Sequence, residues 1–305
     1  MILFSIVEKS SMNTGESNKT ILVTGSNGQL GNEIQQIASD FPSFNFLFTT
    51  REDFPIEDSR ALTNFFEKQQ VHYCINCAAY TAVDKAEEQK EQAFLVNGEA
   101  VGALASICSD HQTKLIHIST DYVYDGTRHE PLKEEDAVAP LNVYGWSKLR
   151  GEELILNRYP SSLIIRTSWV YSSFGNNFVK TILRLCKEKD KLNVINDQFG
   201  SPTYAADLAA VIMKFIEEDE HSKEYSGIVN YCNSGSTTWY EFAVAIKSLV
   251  QSKCEIFPIP SLQYKTPAMR PAYSILDTSK IKEMLNLEIP FWKDSLEKCL
   301  HTLQK

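Results

Sequence analysis

The chain has 305 residues, 43% hydrophobic and 23% charged, which is enough for a full core and excludes a disulfide mini-protein or a fibre. Its 30 Lys and Arg against 39 Asp and Glu leave a net charge of -9, so there is no global attraction to nucleic acid or to an anionic membrane face. Seven cysteines, odd in number and mostly in apolar surroundings, suit a reducing cytosol. With no secretory segment and no apolar run long enough to span a bilayer, the expected location is cytoplasmic, with neither nucleic acid nor membrane as partner.

In chain order, Met1 to Val7 is apolar but short and is followed by Glu8 and Lys9, so residues 1–18 read as a loose leader. Order is expected from Lys19. The run Lys19-Thr20-Ile21-Leu22-Val23-Thr24 is almost unbroken in β-branched and apolar residues, as in a parallel strand covered on both faces. A glycine-rich turn follows, then a helix over 30–39 with Leu30, Ile34, Ile37 and Ala38 at helical spacing. Further strands are predicted over 44–49, 71–77, 115–119, 162–167 and 228–232, and helices over 60–68, 86–109, 147–158, 176–189 and 205–218. Cys74-Ile75-Asn76-Cys77 imitates a redox or metal pair, but in a strand residues three apart point to opposite faces.

This βαβ rhythm predicts an α/β fold, a Rossmann-type doubly wound parallel sheet. Residues 191–202 read as a loop rich in Asn, Asp and Gly, and after Tyr225 prolines accumulate. A smaller C-terminal substrate-binding lobe is therefore expected, comprising about 171–202 plus 226–305. The dinucleotide-binding domain would be 19–170 plus about 203–225, with the cleft at the carboxyl edge of the sheet.

Two motifs carry chemistry. Gly25-Ser26-Asn27-Gly28-Gln29-Leu30-Gly31 follows a strand and opens a helix, where backbone can approach a pyrophosphate and the helix N-terminus offers N–H donors. The same glycines would serve an ordinary tight turn; the strand and helix around them favour a dinucleotide site. The second strand ends in Thr49-Thr50-Arg51 rather than an acidic residue. Arg51 is either a solvated surface group or a partner for a 2'-phosphate, which leans toward NADPH.

The second motif is Tyr144-Gly145-Trp146-Ser147-Lys148. Tyr and Lys four apart share a helix face, so an ammonium can lower the phenol pKa, and such a phenol can protonate a carbonyl oxygen as hydride arrives at carbon. Chance alone also produces this spacing. Its weight comes from Ser119-Thr120, which ends a hydrophobic strand and offers a hydroxyl to the same oxygen.

Beyond these, the chain carries the run from Asn76 to Asp84, Asn97, and residues 119–126, 166–171, 175–178, 197–203 and 270–271. Together, over 19 to about 285, they resemble the extended short-chain dehydrogenases/reductases and, more narrowly, the dTDP-4-dehydrorhamnose reductase family. That resemblance implies reduction of a 4-keto sugar on a dTDP carrier by NADPH or NADH. Its catalytic trio would be Thr120, Tyr144 and Lys148. Cofactor contacts would come from Gly25, Asn27, Gly28, Gln29, Leu30, Gly31, Arg51, Asp58, Cys77, Ala78, Ala79, Tyr80, Asn97, Tyr144 and Lys148. Substrate contacts would come from Thr120, Tyr122, Trp169, Asn177 and Arg270, although Trp169 reads equally as core and Arg270 as a surface pair. A homodimer is also implied.

Cys77 stands where the family usually has Ala. Some members bind Mg²⁺ between subunits, and Glu33 matches one ligand, but a helix-surface Glu is the simpler reading and no metal is expected to be required. Related dehydratases place an acid pair directly after the Thr, whereas here Thr120 precedes Asp121-Tyr122, which favours simple carbonyl reduction. A relative of this fold is a non-catalytic regulatory subunit of methionine adenosyltransferase; retention of Thr120, Tyr144 and Lys148 weighs against that role.

Overall fold

The computed structural model describes residues 18–221 and 223–304; the expected leader, residue 18 apart, lies outside them. From the N-terminus run β1 (Lys19–Thr24), α1 (Gln29–Ile37), β2 (Phe44–Thr49), α2 (Ser59–Lys68), β3 (Tyr73–Asn76), α3 (Val83–Ala86) and α4 (Lys90–Phe94). A π-helical turn, Leu95–Glu99, leads into α5 (Ala100–Asp110), followed by β4 (Lys114–Thr120), α6 (Val143–Arg158), β5 (Leu163–Thr167) and β6 (Val170–Tyr171). Then come α7 (Phe178–Glu188), β7 (Lys191–Ile195), β8 (Phe199–Gly200), β9 (Thr203–Tyr204), α8 (Ala205–Glu220) and β10 (Gly227–Asn230). The chain closes with β11 (Thr237–Thr238), α9 (Trp239–Leu249), β12 (Glu255–Ile259), α10 (Ser279–Leu285) and α11 (Trp292–Gln304).

Six strands form a parallel sheet in the order β2-β1-β3-β4-β5-β10. Alternate side chains of each strand enter different cores, as the period of two requires. Ile21, Val23, Ile75, Ile116 and Ile165 pack with α1, α8 and α10 on one face, while Leu22, Cys74, Leu115 and Ile164 pack with α2, α5 and α6 on the other. Each such side chain fully buried contributes about 1.5–3 kcal/mol. Cys74 and Cys77 face opposite cores, as the strand geometry demands. The order reverses between β1 and β3, the topological switch point at which open α/β sheets hold ligands.

Three expectations need correction. The 191–202 segment is not only loop: β7 pairs in parallel with β12, a tertiary partner about sixty residues away that local composition does not announce. The helix expected over 86–109 begins only at Lys90, after a turn at 87–89, and passes through the π turn, where Asn97 hydrogen-bonds the Tyr80 backbone and Ser147. Finally, β10 forms the sheet edge beside β5, and α10 buries Ile281 and Leu285 in the same core. The C-terminal portion thus returns to the large lobe before α11 joins the aromatic core of the smaller one.

Candidate active site

At the switch point a cavity of about 680 Å³ opens between the sheet's carboxyl edge and the smaller lobe, within the range of small-molecule sites. One wall is backbone. Gly25 sits at φ +63 and a Cβ there would fall 2.7 Å from the Ala78 backbone, so only glycine permits this approach of the β1 turn to the β3 turn. Gly31 lies equally close to Ser26, and Gly28 caps α1, a helix with no acidic residue in its first turn. Amide donors and the positive helix end therefore face the cavity, a fit for a dinucleotide pyrophosphate. Gly25, Asn27, Gly28, Gln29, Leu30, Cys77, Ala78, Ala79, Tyr80 and Arg51 all line it. The thiol of Cys77 is pushed above its usual range by burial and stays uncharged.

The opposite wall is made of side chains. Thr120 ends β4, and its hydroxyl donates to Asp121 Oδ1 at 3.1 Å while accepting from the Tyr122 amide at 3.2 Å. Tyr144 occupies the first turn of α6, whose start is fixed by Asn142 accepting from the Gly145 amide at 2.8 Å. Burial pushes the Tyr144 phenol up to about 12, against a hydrogen bond with Thr120. Lys148 Nζ, one turn on, donates to the Ile118 carbonyl at 2.7 Å and lies 3.2 Å from His117 Nε2. Thus Thr120, Tyr122, Tyr144, Lys148 and Trp169 line the same cavity as the glycine turn. The expected lowering of the phenol by Lys148 is absent: desolvation dominates, and the amine is directed to Ile118 and His117.

Other expected residues stand outside the cavity wall. Asp58 caps α2 by accepting from the Ala61 amide at 3.0 Å. Asn97, fully buried, accepts from the Tyr80 amide at 2.8 Å and donates to Ser147 Oγ at 2.9 Å, so it joins the cradle to α6. Asn177 caps α7 and donates to Gln29 Oε1 at 2.9 Å. Arg270 is paired with Asp84 at 2.8 Å and interacts with Tyr122. Glu33 is not a helix-surface group: it is buried and accepts from Ser172 Oγ at 2.6 Å, and burial raises its pKa. Among the described residues no three His, Cys, Asp or Glu side chains converge as metal ligands. No helix among the described residues is long and apolar enough to cross a membrane.

Several site residues carried no role in the sequence reading. Asp121 lines the cavity, its Oδ2 makes no hydrogen bond among the described residues, and burial pushes its carboxyl up to about 7. Trp239 stacks on Trp169 with ring centroids 3.5 Å apart and planes 8° from parallel, closing the cavity toward the smaller lobe. Glu152 binds Arg166 at 2.7 Å and accepts from Ser119, an almost fully buried pair that clamps α6 to β4 and β5. Glu152 recurs four residues after Lys148, but nothing local marks Arg166 as its partner.

A doubly wound parallel sheet with a glycine cradle at its switch point, and a Thr–Tyr–Lys cluster on the facing wall, defines an NAD(P)-dependent oxidoreductase of the short-chain dehydrogenase/reductase type. The family model described as the RmlD substrate binding domain matches residues 19–305. The chain is 37% identical over 284 residues to the dTDP-4-dehydrorhamnose reductase of Aggregatibacter actinomycetemcomitans, covering 91% of this chain and 97% of that protein. Among solved structures it resembles a dTDP-4-dehydrorhamnose reductase from Clostridium acetobutylicum, at 38% identity and TM-score 0.89 over 94% of this chain and 100% of that one. A Bacillus anthracis dTDP-4-dehydrorhamnose reductase in complex with NADP gives 34% identity and TM-score 0.89 at the same coverage. The chain belongs to the dTDP-4-dehydrorhamnose reductase family.

Proposed function

We propose that the protein reduces the C4 keto group of dTDP-4-dehydro-β-L-rhamnose to give dTDP-L-rhamnose, using NADPH or NADH. The observation that carries this reading is that Thr120, Tyr144 and Lys148 share one cavity with the glycine cradle. The bound reduced nicotinamide supplies the hydride. Tyr144 donates its proton to the developing C4 alkoxide; a phenol near 12 is fully protonated at neutral pH, as a donor must be. Thr120 orients the keto oxygen, and Asn97 fixes α6 relative to the cradle. The stacked Trp169 and Trp239 exclude water from the sugar side.

Arg51 supports a lean toward NADPH, since it lines the cavity beyond the β2 end. Its side chain is 74% exposed and shared with Glu57 at 2.9 Å, so the preference it confers is small. Purified protein supplied with the dTDP-4-keto sugar should oxidise either reduced cofactor, NADPH somewhat faster. Folded protein without turnover on both would overturn the reading; faster turnover on another nucleotide-linked 4-keto sugar would replace the substrate. Light scattering in the same preparation tests the proposed homodimer.

A further inference from the structure

The parallel register places three polar residues in one row beneath the cavity. Thr24 of β1 faces Asn76 of β3, and Asn76 faces His117 of β4; all three are buried. Thr24 Oγ1 donates to Asn76 Oδ1 at 2.7 Å, the Ala78 amide donates to the same oxygen at 3.2 Å, Asn76 Nδ2 lies 2.9 Å from His117 Nδ1, and His117 Nε2 lies 3.2 Å from Lys148 Nζ. The row thus runs from the cofactor cradle to the proposed catalytic lysine.

Hydrogen-bond capacity fixes its protons. A backbone N–H only donates, so Ala78 holds Asn76 with its oxygen toward the cradle and its NH₂ toward His117. His117 Nδ1 must then be the acceptor, and a neutral imidazole carries its one hydrogen on Nε2, aimed at Lys148. An ammonium has three donors and no lone pair, whereas a neutral amine accepts from Nε2–H and still donates to the Ile118 carbonyl. We propose that His117 is a positioning residue for the reduction proposed above: held as the Nε2–H tautomer by Asn76, it favours the uncharged form of Lys148 and makes that residue a titrating group. Charging Lys148 then opposes His117 Nε2–H, and reversing the tautomer requires Asn76 to turn over and release the Ala78 amide in the cradle.

The other groups facing Lys148 leave room for this. Burial draws Lys148 down to about 8, opposed by Glu152 and then Cys77. Glu152, from the same helix, is engaged by Arg166 of β5, and the Cys77 thiol, from the turn after β3, is uncharged. Tyr144 stands one turn earlier on α6 and stays protonated. His117 itself is held well below its ordinary value, first by burial and then by Lys148, so it remains neutral and the row carries no second cation.

The test needs no turnover. In ¹⁵N-histidine-labelled protein, His117 should show a bare, pyridine-like Nδ1 and a protonated Nε2. In ¹³C-lysine-labelled protein the Lys148 Cε shift should titrate near 8. His117→Gln, whose amide oxygen can turn to the lysine, should raise that midpoint by about one unit, worth about 1.4 kcal/mol. A protonated Nδ1 in the wild type, or an unmoved midpoint in folded His117→Gln, overturns the proposal; if the variant does not fold, the wild-type tautomer decides alone. Failure to reduce the sugar nucleotide would sink the functional reading while leaving these spectra as they stand.

Discussion

The two walls of the cavity are built by different physics. The cradle side is backbone: a left-handed Gly25, a close approach to Ala78 and the N-terminus of α1. The facing side is a set of buried polar pairs on β4, β5 and α6: Thr120 donates to Asp121, His117 meets Lys148 and Arg166 donates to Glu152, with Tyr144 hydrogen-bonded to Thr120. Shape made from backbone tolerates side-chain change except where a Cβ collides. A buried network has no such slack, because each deleted partner leaves another group desolvated and unpaired.

The largest expected effect falls on the network. Tyr144→Phe should lower kcat by about 10²–10⁴-fold while leaving cofactor affinity close to wild type, measured by steady-state kinetics and nucleotide titration. A comparable loss of affinity instead would mean the two walls are not separable. Next, Glu152→Ala leaves the Arg166 guanidinium buried without its partner and should cost about 3–5 kcal/mol in urea unfolding. Surface pairs such as Arg184–Glu188, both side chains at least half exposed, should cost no more than about 1 kcal/mol when broken.

A third expectation concerns pH. The folded Asp121 pKa, about 7, lies above the ordinary value of 3.8. The protonated carboxyl is therefore favoured by folding; its contribution is complete below about 4 and is lost as pH rises toward about 7. Asp121→Asn should gain on wild type in thermal stability across that window and hold a constant advantage above it. A pH-independent difference would place Asp121 in a wetter setting than its burial indicates. In the cradle, Gly25→Ala combines a left-handed φ, a strain of about 1–3 kcal/mol, with a Cβ 2.7 Å from the Ala78 backbone, read as weaker cofactor binding with kcat changed far less.

The same contrast explains what was legible in the sequence. The cradle is local, so three glycines between a strand and a helix announce it, and Tyr144 and Lys148 announce themselves by one helical turn. The almost unbroken apolar run of β1 likewise announced a strand covered on both faces. The row Thr24–Asn76–His117 is set by strand register over dozens of residues, and the Glu152–Arg166 clamp by the docking of α6 on β5; neither leaves a local pattern. Asp58 caps α2 through Oδ1, and no local pattern separates that role from the cofactor contact the resemblance implies. The two-residue strands β6, β8, β9 and β11 are too short for periodicity to register, and the smaller lobe is instead held by an aromatic core around Phe242 and Trp292.

The most direct test of the account follows the hydrogen itself. With reduced cofactor deuterated at the transferring position and dTDP-4-dehydro-β-L-rhamnose as substrate, the product examined by NMR should be dTDP-L-rhamnose carrying deuterium at C4. Tyr144→Phe should form it at least about a hundredfold more slowly. Product with no deuterium at C4, or undiminished transfer in Tyr144→Phe, would contradict the assignment of this cavity as a carbonyl-reducing site with Tyr144 as its proton donor.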